Sequence, residues 1–382
     1  MMITSLRIFL KTIFVALCPV HKNWIVFDSF DGMGYGDSPG AIADEILRRK
    51  LPYKLFWRVE SPQKATLLPE GVIPIPEFSL LTLLKAASSR VWISNTKTSF
   101  HWKKKKNQYY IQTWHGGGLP LKQVEGQVED FLRKDYLQVS KQDSLQTDLI
   151  LADNNLIAEI YRKWFWYPPT CEVANMGLPK NDVFYKSVDV GSLKKKYFGQ
   201  SDTKVALYAP TFRDDDSLEG YRIDLKAFHR QLEETSGNNW IVAVRLHPNI
   251  RRLANDLFSF DEHIVNATVF PDPKDLILAS DILVTDYSSI MSDFLAMDKP
   301  VFLLLLDLEH YLSKCRTIGP IFYQLPFPRC YSNEDLLLAI EQYDPSKYQS
   351  AIKEFKSTCF ISYDDGHAAE RVVDRIERII GG

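Results

Sequence analysis

Short apolar segments alternate with helical stretches along the chain from Asn23 onward, and this alternation constrains the fold more than any other feature. The segment NWIVFDSF is followed by a glycine-rich loop, DGMGYGDSPG, and then by the helical stretch AIADEILRRK. Repeated units of this kind predict an α/β fold with parallel sheets covered by helices. The predicted strands are NWIVFDSF, YKLFWRV, RVWISNT, QYYIQTW and DLILADN in the first half, and KVALYAPT, NWIVAVRLH, ATVFP, DILVTD and PVFLLLLD in the second.

A polar, lysine-rich stretch, SVDVGSLKKKYFGQSDTK, divides the two halves and predicts a domain boundary near residues 185–200. Two architectures fit this pattern: two Rossmann-type doubly wound domains facing a central cleft, or one dinucleotide-binding fold with a substrate domain. We expect one domain over residues 21–190 and a second over residues 191–382. The second is predicted to end in an amphipathic C-terminal helix within GHAAERVVDRIERIIGG.

Charge and cysteine content exclude several classes of function. The 382 residues include 46 basic and 48 acidic side chains, so binding of nucleic acid through overall positive charge is disfavoured. Five cysteines without a C-x-x-C pair indicate neither a disulfide framework nor a zinc cluster, and they favour a reducing compartment. The apolar run Val301–Leu306 is far shorter than the roughly 20 residues of a membrane-spanning helix, so none is expected.

Two basic and apolar segments could contact a membrane surface. Residues 1–20 place apolar side chains on one helical face, with Arg7 and Lys11 opposite. Such a helix fits either a membrane interface or packing against a domain. The run Lys103–Lys106 lies beside aromatic residues, and it fits either a solvated loop or contact with anionic headgroups.

Two histidines directly follow predicted strands. His115 begins the sequence HGGG after QTW, and His247 follows AVRL. Ligands of doubly wound sheets bind beyond the carboxyl ends of the strands, which is where both imidazoles are expected. A histidine at a strand end is often structural, but one in each half of the chain favours a functional role.

Candidate anion-binding residues follow two strands of the second half. Thr211 and Arg213 follow YAP, and the guanidinium of Arg213 could bind a pyrophosphate. Asp286, Ser288 and Ser289 lie between a strand and a helix, where backbone N–H groups can hold a phosphate. The alternative is that the two serines only cap the helix.

Three consecutive aspartates, Asp214–Asp216, formally contain the D-x-D motif of metal-dependent nucleotide sites. Their position beyond Arg213, at the start of a polar segment, favours a solvated loop. We therefore expect no required metal and no cofactor.

Taken together, these motifs resemble those of the CDP-glycerol glycerophosphotransferase family of teichoic acid and capsule synthesis. The resemblance covers nearly the whole chain and is carried by WIVFDSFDGMGYGDSPGAI, WISNT, QTWHGGGLPLK, MGLPKND, LYAPTFRDD, VRLHPN, SDILVTDYSSIMSDF, KPVFLLLLDLEHY and DDGHAAERV.

The resemblance implies a GT-B-like pair of Rossmann domains, with the acceptor on the N-terminal side and a CDP-polyol on the C-terminal side. The implied reaction moves glycerol phosphate from CDP-glycerol onto a hydroxyl of a lipid-linked or polymer acceptor and releases CMP. CDP-ribitol is the alternative donor. The implied location is the cytoplasmic face of the cell membrane, as a peripheral protein on an anionic surface.

The resemblance also implies roles for individual residues. His115 would be the general base, and His247 would stabilise the donor pyrophosphate. The implied donor-binding residues are Thr211, Arg213, Asp286, Ser288, Ser289, Asp307 and Glu309, and the implied acceptor-side residues are Gly116, Gly117, Lys122 and Asp37.

Three motifs depart from the common family pattern, and one of them is the segment after DLEHY, where Arg316–Gly319 and Leu325–Pro328 blur the usual elements. The loop reads WHGGGLPLK rather than WHGTPLK, and Lys180 replaces an arginine in GLPKND. A GT-B enzyme that uses a nucleotide sugar and a catalytically inactive scaffold remain competing hypotheses, although intact His115 and His247 argue against the scaffold.

Overall fold

The computed structural model describes most of the chain, in two compact units. One unit contains the described residues up to Gly117, together with Val124–Tyr185 and Ser362–Gly382, and the other contains those of Gly118–Gln123 and Lys186–Ile361. The described residues are 14–77, 79–97, 104–121, 124–128, 133–213, 217–270, 273–315 and 318–382.

The first unit is built on a parallel sheet of seven strands in the order β3-β2-β1-β4-β5-β6-β7. The strands are β1 (His21–Asp28), β2 (Lys54–Val59), β3 (Val72–Pro76), β4 (Ser89–Ser94), β5 (Tyr109–Gln112), β6 (Leu149–Ala152) and β7 (Glu172–Asn175). The connecting helices are α1 (Asp37–Arg48), α2 (Pro62–Ala65), α3 (Leu80–Ser88), α4 (Lys134–Gln146) and α5 (Asn155–Trp164), with short 3-10 helices at Phe30–Gly32, Glu125–Gln127 and Pro179–Tyr185.

Alternate residues of the central strand β1 enter two separate cores. Ile25 and Phe27 pack in one apolar cluster together with Ile42 of α1. Val26 packs in another cluster, with Phe56 and other residues of the neighbouring strands. Successive strand side chains point to opposite faces, so a strand covered on both sides is apolar at every position, as WIVF is here.

The second unit has a parallel sheet of six strands in the order β10-β9-β8-β11-β12-β13. In both sheets, the next two strands of the chain lie on one side of the first strand and the later strands lie on its other side. This is the Rossmann-type strand order. The strands are β8 (Lys204–Tyr208), β9 (Trp240–Val244), β10 (Ile264–Asn266), β11 (Ile282–Thr285), β12 (Val301–Leu304) and β13 (Arg329–Cys330). The helices are α6 (Val190–Phe198), α7 (Leu225–Ser236), α8 (Ala254–Leu257), α9 (Pro273–Ala279), α10 (Ile290–Ala296), α11 (Leu308–His310), α12 (Asn333–Glu341) and α13 (Pro345–Thr358), with 3-10 helices at Glu219–Tyr221, Pro248–Leu253, Ala267–Val269 and Pro320–Gln324 and a π-helical turn at Tyr311–Cys315.

Two doubly wound parallel sheets were predicted and are confirmed, but one strand was placed wrongly. The segment ATVFP was expected to be a strand, whereas β10 precedes it and Ala267–Val269 is a 3-10 helix. The Asn266 side chain accepts a hydrogen bond from Thr268 N and so begins this turn. An asparagine that bonds the backbone two residues ahead favours a turn over an extended strand.

The C-terminal helix, α14 (Ala368–Gly381), packs in the first unit rather than in the second. Val372, Val373 and Ile376 join the apolar cluster of β1 and α1. Both carboxylate oxygens of Asp182 accept hydrogen bonds from the backbone N–H groups that begin this helix, at Ala368 and Ala369. The expected span of 191–382 for the second domain therefore differs from the second unit, because helical periodicity does not reveal which sheet a helix covers.

Within the described residues, no helix combines the length and apolar character needed to cross a bilayer.

Candidate active site

His115 follows β5 in a strained turn that fixes which ring nitrogen is available. Its Nδ1 lies 2.7 Å from the backbone oxygen of Asn95. A carbonyl only accepts, so in the neutral imidazole Nδ1 carries the proton and Nε2 has the lone pair. The preceding residue, Trp114, has a φ of +53°, and its backbone N–H donates to Oε1 of Gln112 (2.9 Å). The side chain of His115 is exposed, as a general base must be to meet a substrate.

Asn95 also connects His115 to the loop after β1. Its side-chain oxygen accepts a hydrogen bond from the backbone N–H of Phe30 (2.9 Å), and the Phe30 ring lies 5.7 Å from the imidazole. The loop after β1 and the turn after β5 are therefore held by one residue at the end of β4.

Close packing explains why glycines follow His115. A Cβ on Gly117 would lie 2.5 Å from Cδ1 of Leu178 and 2.8 Å from Oδ2 of Asp153. A Cβ on Gly116 would lie 3.0 Å from Nε1 of Trp114. Any larger residue at 117 would push the loop away from the sheet.

A pair of carboxyl groups beneath this loop, the buried Asp153 and the half-buried Asp364, was not predicted. Asp364 accepts hydrogen bonds from the backbone N–H of Leu178 and from Nδ2 of Asn181, each at 2.7 Å. Burial, reinforced by the negative charge of Asp153, raises the pKa of Asp364 to about 7. Because 211 residues separate the two aspartates in the sequence, no local pattern could have joined them.

Lys97 is a second group that the sequence did not reveal, and it lies beside Trp114, the residue before His115. Its ammonium contacts Oγ of Ser140, lies 3.3 Å from the hydroxyl of Tyr136, and stands 5.3 Å from the centroid of the Trp114 ring. Burial lowers the pKa of Lys97 to about 7. A lysine that loses its charge near neutral pH, next to the turn that carries the predicted base, belongs among the candidate site residues.

Asp37 begins α1 at the end of the glycine-rich loop, and it is half-buried. Its carboxylate accepts a hydrogen bond from the backbone N–H of Ser38 (2.7 Å). Ser29, Phe30 and residues 33–37 line an open pocket of about 290 Å³, and Asp37 is part of this lining.

In the second unit, Arg213 lies inside a buried ion cluster. Its guanidinium makes two hydrogen bonds to Asp307, at 2.6 and 2.8 Å, and an ion pair with Asp286 at 2.8 Å. The side chains of all three are at most 2% exposed. Rings of Tyr287 and Tyr311 lie 5.2 and 5.1 Å from the guanidinium carbon. Arg213 was expected to contact a pyrophosphate, and in the structure its guanidinium is paired with the two buried carboxylates.

The same cluster orders the strand ends that carry the predicted donor-binding residues. Oδ1 of Asp286 accepts hydrogen bonds from the backbone N–H groups of Thr211 (2.8 Å) and Tyr287 (2.6 Å). The hydroxyl of Thr211 is buried and has no hydrogen-bond partner among the described residues. A buried unsatisfied hydroxyl is uncommon in a folded protein, so Thr211 is a strong candidate to contact a ligand.

The two serines differ in exposure at the start of α10. Ser288 is half-buried, with its Oγ 3.4 Å from the backbone N–H of Ile290, while Ser289 is exposed. Ser289 occupies the N-cap position without a side-chain cap bond, whereas Ser288 accepts the hydrogen bond from the first residue of the helix.

His247 lies at the surface, in the turn after β9. Its ring lies 5.5 Å from that of Phe212, in a stacked arrangement. The guanidinium of Arg245 donates to the backbone oxygens of Ala267 and Phe270, both at 3.0 Å, and so holds the base of the turn. The imidazole is exposed and remains a candidate to contact the donor.

The remaining predicted residues are dispersed or outside the described part. Glu309 is exposed on α11, in contrast to the buried Asp307. Lys122 and Asp214–Asp216 lie outside the described residues. Within the residues that the structure describes, no group of three His, Cys, Asp or Glu side chains is arranged to hold a metal ion.

Part of the predicted membrane-contacting surface is engaged within the protein. Lys104 pairs with Asp148 at 2.9 Å, and Lys105 donates to the backbone oxygens of Cys18 and Ala87 at 2.5 and 3.0 Å. These two lysines therefore serve the fold, whereas Lys106 is exposed.

The end of the predicted N-terminal helix packs on the first unit. Val15 and Cys18 are buried beside α3. Phe14 and Leu17 are exposed, the latter at 79%. Residues 1–13 of that prediction lie outside the described residues.

Comparison with known proteins connects this geometry to a family. Residues 10–378 match the family described as CDP-Glycerol:Poly(glycerophosphate) glycerophosphotransferase. The chain is 28% identical to the teichoic acid poly(glycerol phosphate) polymerase of Bacillus subtilis (strain 168), over 94% of this chain and 49% of the relative. It is also 28% identical to the teichoic acid glycerol-phosphate transferase of Staphylococcus aureus (strain NCTC 8325 / PS 47), over 93% of each chain. It thus spans about half the length of the Bacillus relative.

A solved structure is similar to this chain in fold. It is the wall teichoic acid polymerase TagF, in a histidine-to-asparagine variant soaked with CDPG, at 27% identity and a TM-score of 0.80 over 95% of this chain and 90% of that one. This match and the two parallel sheets confirm the predicted GT-B-like fold. The chain therefore belongs to the CDP-glycerol:poly(glycerophosphate) glycerophosphotransferase family.

Proposed function

We propose that this protein transfers glycerol phosphate from CDP-glycerol to a hydroxyl of a lipid-linked or polymer acceptor and releases CMP. Family membership and the names of the relatives support this reaction class. The observation that carries the proposal is the contact between Nδ1 of His115 and the backbone oxygen of Asn95, because it leaves Nε2 available as a base.

In the proposed reaction, Nε2 of His115 accepts the proton of the acceptor hydroxyl. The resulting oxygen forms a bond to the phosphorus that carries glycerol, and the bond from that phosphorus to the bridging oxygen of CMP breaks. The electron pair of the broken bond leaves with CMP. A step of this kind needs a positioned base and stabilisation of charge on the phosphoryl oxygens.

We assign the second unit to the donor. His247 would donate to the pyrophosphate, and the hydroxyls of Thr211, Ser288 and Ser289 would bind phosphate oxygens. Arg213 would act indirectly, by fixing the aspartate that holds the backbone of Thr211. The exposed Glu309 remains a candidate for contact with the polyol or ribose hydroxyls.

We place this activity at the cytoplasmic face of the membrane, with the protein bound peripherally. The apolar face of residues 1–20 and the exposed Phe14 and Leu17 support surface attachment. Lys106 would add electrostatic attraction to anionic lipid, worth about 1 kcal/mol for a lysine near such a surface.

The test is release of CMP by the purified protein, with a lipid-linked disaccharide analogue as acceptor. CDP-glycerol, CDP-ribitol and UDP-sugars are compared as donors, each with and without acceptor. We expect acceptor-dependent CMP from CDP-glycerol. Turnover of CDP-ribitol alone would change the assigned donor, and turnover of a nucleotide sugar alone would overturn the reaction class.

A further inference from the structure

The C-terminal segment meets the sheet of the first unit beneath the turn that carries His115. Tyr363 donates from its backbone N–H to the backbone oxygen of Asp153, directly after β6 (2.6 Å). The next residue along the chain is Asp364, and the negative charge of Asp153 acts on its carboxyl group. Two carboxyl groups that are distant in the sequence are therefore neighbours below the turn.

Each carboxyl group supports the turn in a different way. Oδ2 of Asp153 would lie 2.8 Å from a Cβ built on Gly117, so it lies against the backbone two residues after His115. Asp364 acts through Leu178, because its Oδ1 accepts a hydrogen bond from the Leu178 backbone N–H (2.7 Å). Cδ1 of Leu178 would lie 2.5 Å from the same Cβ of Gly117. The floor beneath Gly117 thus consists of one carboxyl group and of a leucine that the other carboxyl group holds.

The surroundings of Asp364 leave its carboxyl group little freedom. Gly177 has a φ of +75°, and a Cβ there would lie 2.7 Å from Oδ1 of Asp364 and 2.9 Å from the backbone oxygen of Tyr363. The other carboxyl oxygen accepts a hydrogen bond from Nδ2 of Asn181 (2.7 Å). Because both oxygens are bonded and backbone packs against one of them, we expect a change of charge on Asp364 to move the neighbouring backbone.

No positive charge offsets the pair from the sheet side or from the 3-10 helix Pro179–Tyr185, within the groups that act on it in the described residues. Asp182 of this 3-10 helix adds a further negative charge that acts on Asp364. On the side of α5, the buried Tyr161 faces Asp153, whose charge helps to raise the pKa of that phenol.

The basic groups on the side of α14 have other partners. Arg371 donates to two backbone oxygens and pairs with the exposed Asp365 at 2.7 Å. His367, at the start of α14, lies 3.3 Å from the carboxylate of Glu370. Two ionised carboxylates at the Asp153–Asp364 pair would therefore repel each other without a dedicated counter-charge.

We propose that Asp153 and Asp364 are positioning residues, and that the turn carrying His115 keeps its working geometry only while one proton remains on the pair. When both groups are ionised, their repulsion acts on Gly117 directly and on Leu178 through its N–H, so the turn is displaced. Burial and the charge of Asp153 raise the pKa of Asp364 to about 7, so the proton leaves near neutral pH. This inference rests on the proposed function and adds control by pH to the same site.

The test compares the pH dependence of CMP release between the unmodified protein and Asp364→Asn. The kcat/KM for the acceptor is measured from about pH 5.5 to about pH 9, with CDP-glycerol in excess. We expect it to fall at least about tenfold from about pH 7 to about pH 9 in the unmodified protein, and by less than about twofold in Asp364→Asn, which cannot gain the second charge. On the acid side, where protonation of an imidazole removes the base, the two proteins should behave alike.

Three further variants assign the alkaline fall. Asp365→Asn removes a carboxylate one residue away whose pKa is lowered by its hydrogen bond with Arg371, so the fall should remain. Lys97→Arg keeps its positive charge over the whole range, so the fall should remain there too. Its disappearance in Lys97→Arg would assign the fall to Lys97 and overturn the proposal. Asp153→Asn removes the other charge of the pair and repeats the test should Asp364→Asn not fold.

Hydrogen–deuterium exchange reports on the turn without catalysis. Exchange of residues 113–119 is measured at about pH 6 and about pH 8 and corrected for the intrinsic effect of pH. We expect protection to fall at least about tenfold at the higher pH in the unmodified protein and to stay within about twofold in Asp364→Asn. If exchange responds in this way but no CMP is released, the proposed function fails while the positioning role stands. An alkaline fall shared by both proteins, or exchange of the turn that does not respond to pH, would overturn the positioning role.

Discussion

At the scale of single residues, the useful chemistry depends on partners that are distant in sequence. His115 and His247 are recognisable because each directly follows an apolar strand. The tautomer of His115 cannot be recognised from the sequence, because it depends on a backbone carbonyl 20 residues away. The raised pKa of Asp364 and the lowered pKa of Lys97 likewise arise from burial, which appears only when the chain is folded.

Replacing His115 with asparagine is expected to lower acceptor-dependent CMP release by about 10²–10⁴-fold, because the base is lost. The side chain is exposed, so the melting temperature should change little. Steady-state CMP release and thermal unfolding are measured on the same preparation. Near-normal turnover would remove His115 from the mechanism.

The carboxyl group of Asp364 should make stability depend on pH. Its pKa rises from an ordinary 3.8 to about 7 on folding, so the native protein binds the extra proton between about pH 4 and pH 7. The free energy of unfolding contributed by this group therefore decreases as the pH rises through that range.

Asp364→Asn removes this titration while keeping an oxygen for the N–H of Leu178. In urea unfolding from pH 5 to pH 8, the unmodified protein should lose stability relative to the variant as the pH rises to about 7, and the difference should then level off. Parallel curves across this range would contradict the raised pKa.

At the scale of elements, the ends of β8, β11 and β12 are joined by the ion cluster of Arg213, Asp286 and Asp307. The strands were predictable because their apolar runs are continuous. The ion cluster was not predictable, because an arginine that follows a strand can equally bind a ligand or stabilise the fold. The misplaced strand ATVFP has a similar origin, since β-branched residues there are overruled by the turn at Asn266.

Arg213→Ala is expected to lower the free energy of unfolding by about 3–5 kcal/mol, because two buried carboxylates lose their shared counter-charge. Ser289→Ala, at an exposed position beside the cluster, should change it by less than about 0.5 kcal/mol. Urea unfolding of both variants is the measurement. If Arg213→Ala leaves stability unchanged but weakens CDP-glycerol binding, the result would support a direct contact between Arg213 and a phosphate.

At the scale of the whole molecule, the sequence predicts two Rossmann-type sheets and the structure contains them. The span of each unit was less predictable. Helical periodicity identifies α14 but does not say which core receives it, whereas the hydrogen bonds from its first residues to Asp182 do. Surface attachment likewise depends on which apolar residues remain uncovered after folding.

Deleting residues 1–13 should weaken sedimentation with anionic vesicles, because the sequence places most of one apolar face there. The deletion stops before Val15, which is packed in the first unit, so unfolding of the domain should be unaffected. Neutral vesicles and high salt serve as controls for the electrostatic part. Unchanged sedimentation would exclude this segment as an anchor.

The return of α14 to the first unit also fixes an order of assembly during synthesis. A ribosome makes residues 362–382 after residues 186–361, so the second unit has its whole core available while the first still lacks Val372, Val373 and Ile376. The half of the protein that is translated first is thus the half that matures last. Until then, we expect its open apolar surface to bind chaperones, and we expect a nascent chain that stalls after Ile361 to carry a complete second unit and an incomplete first unit.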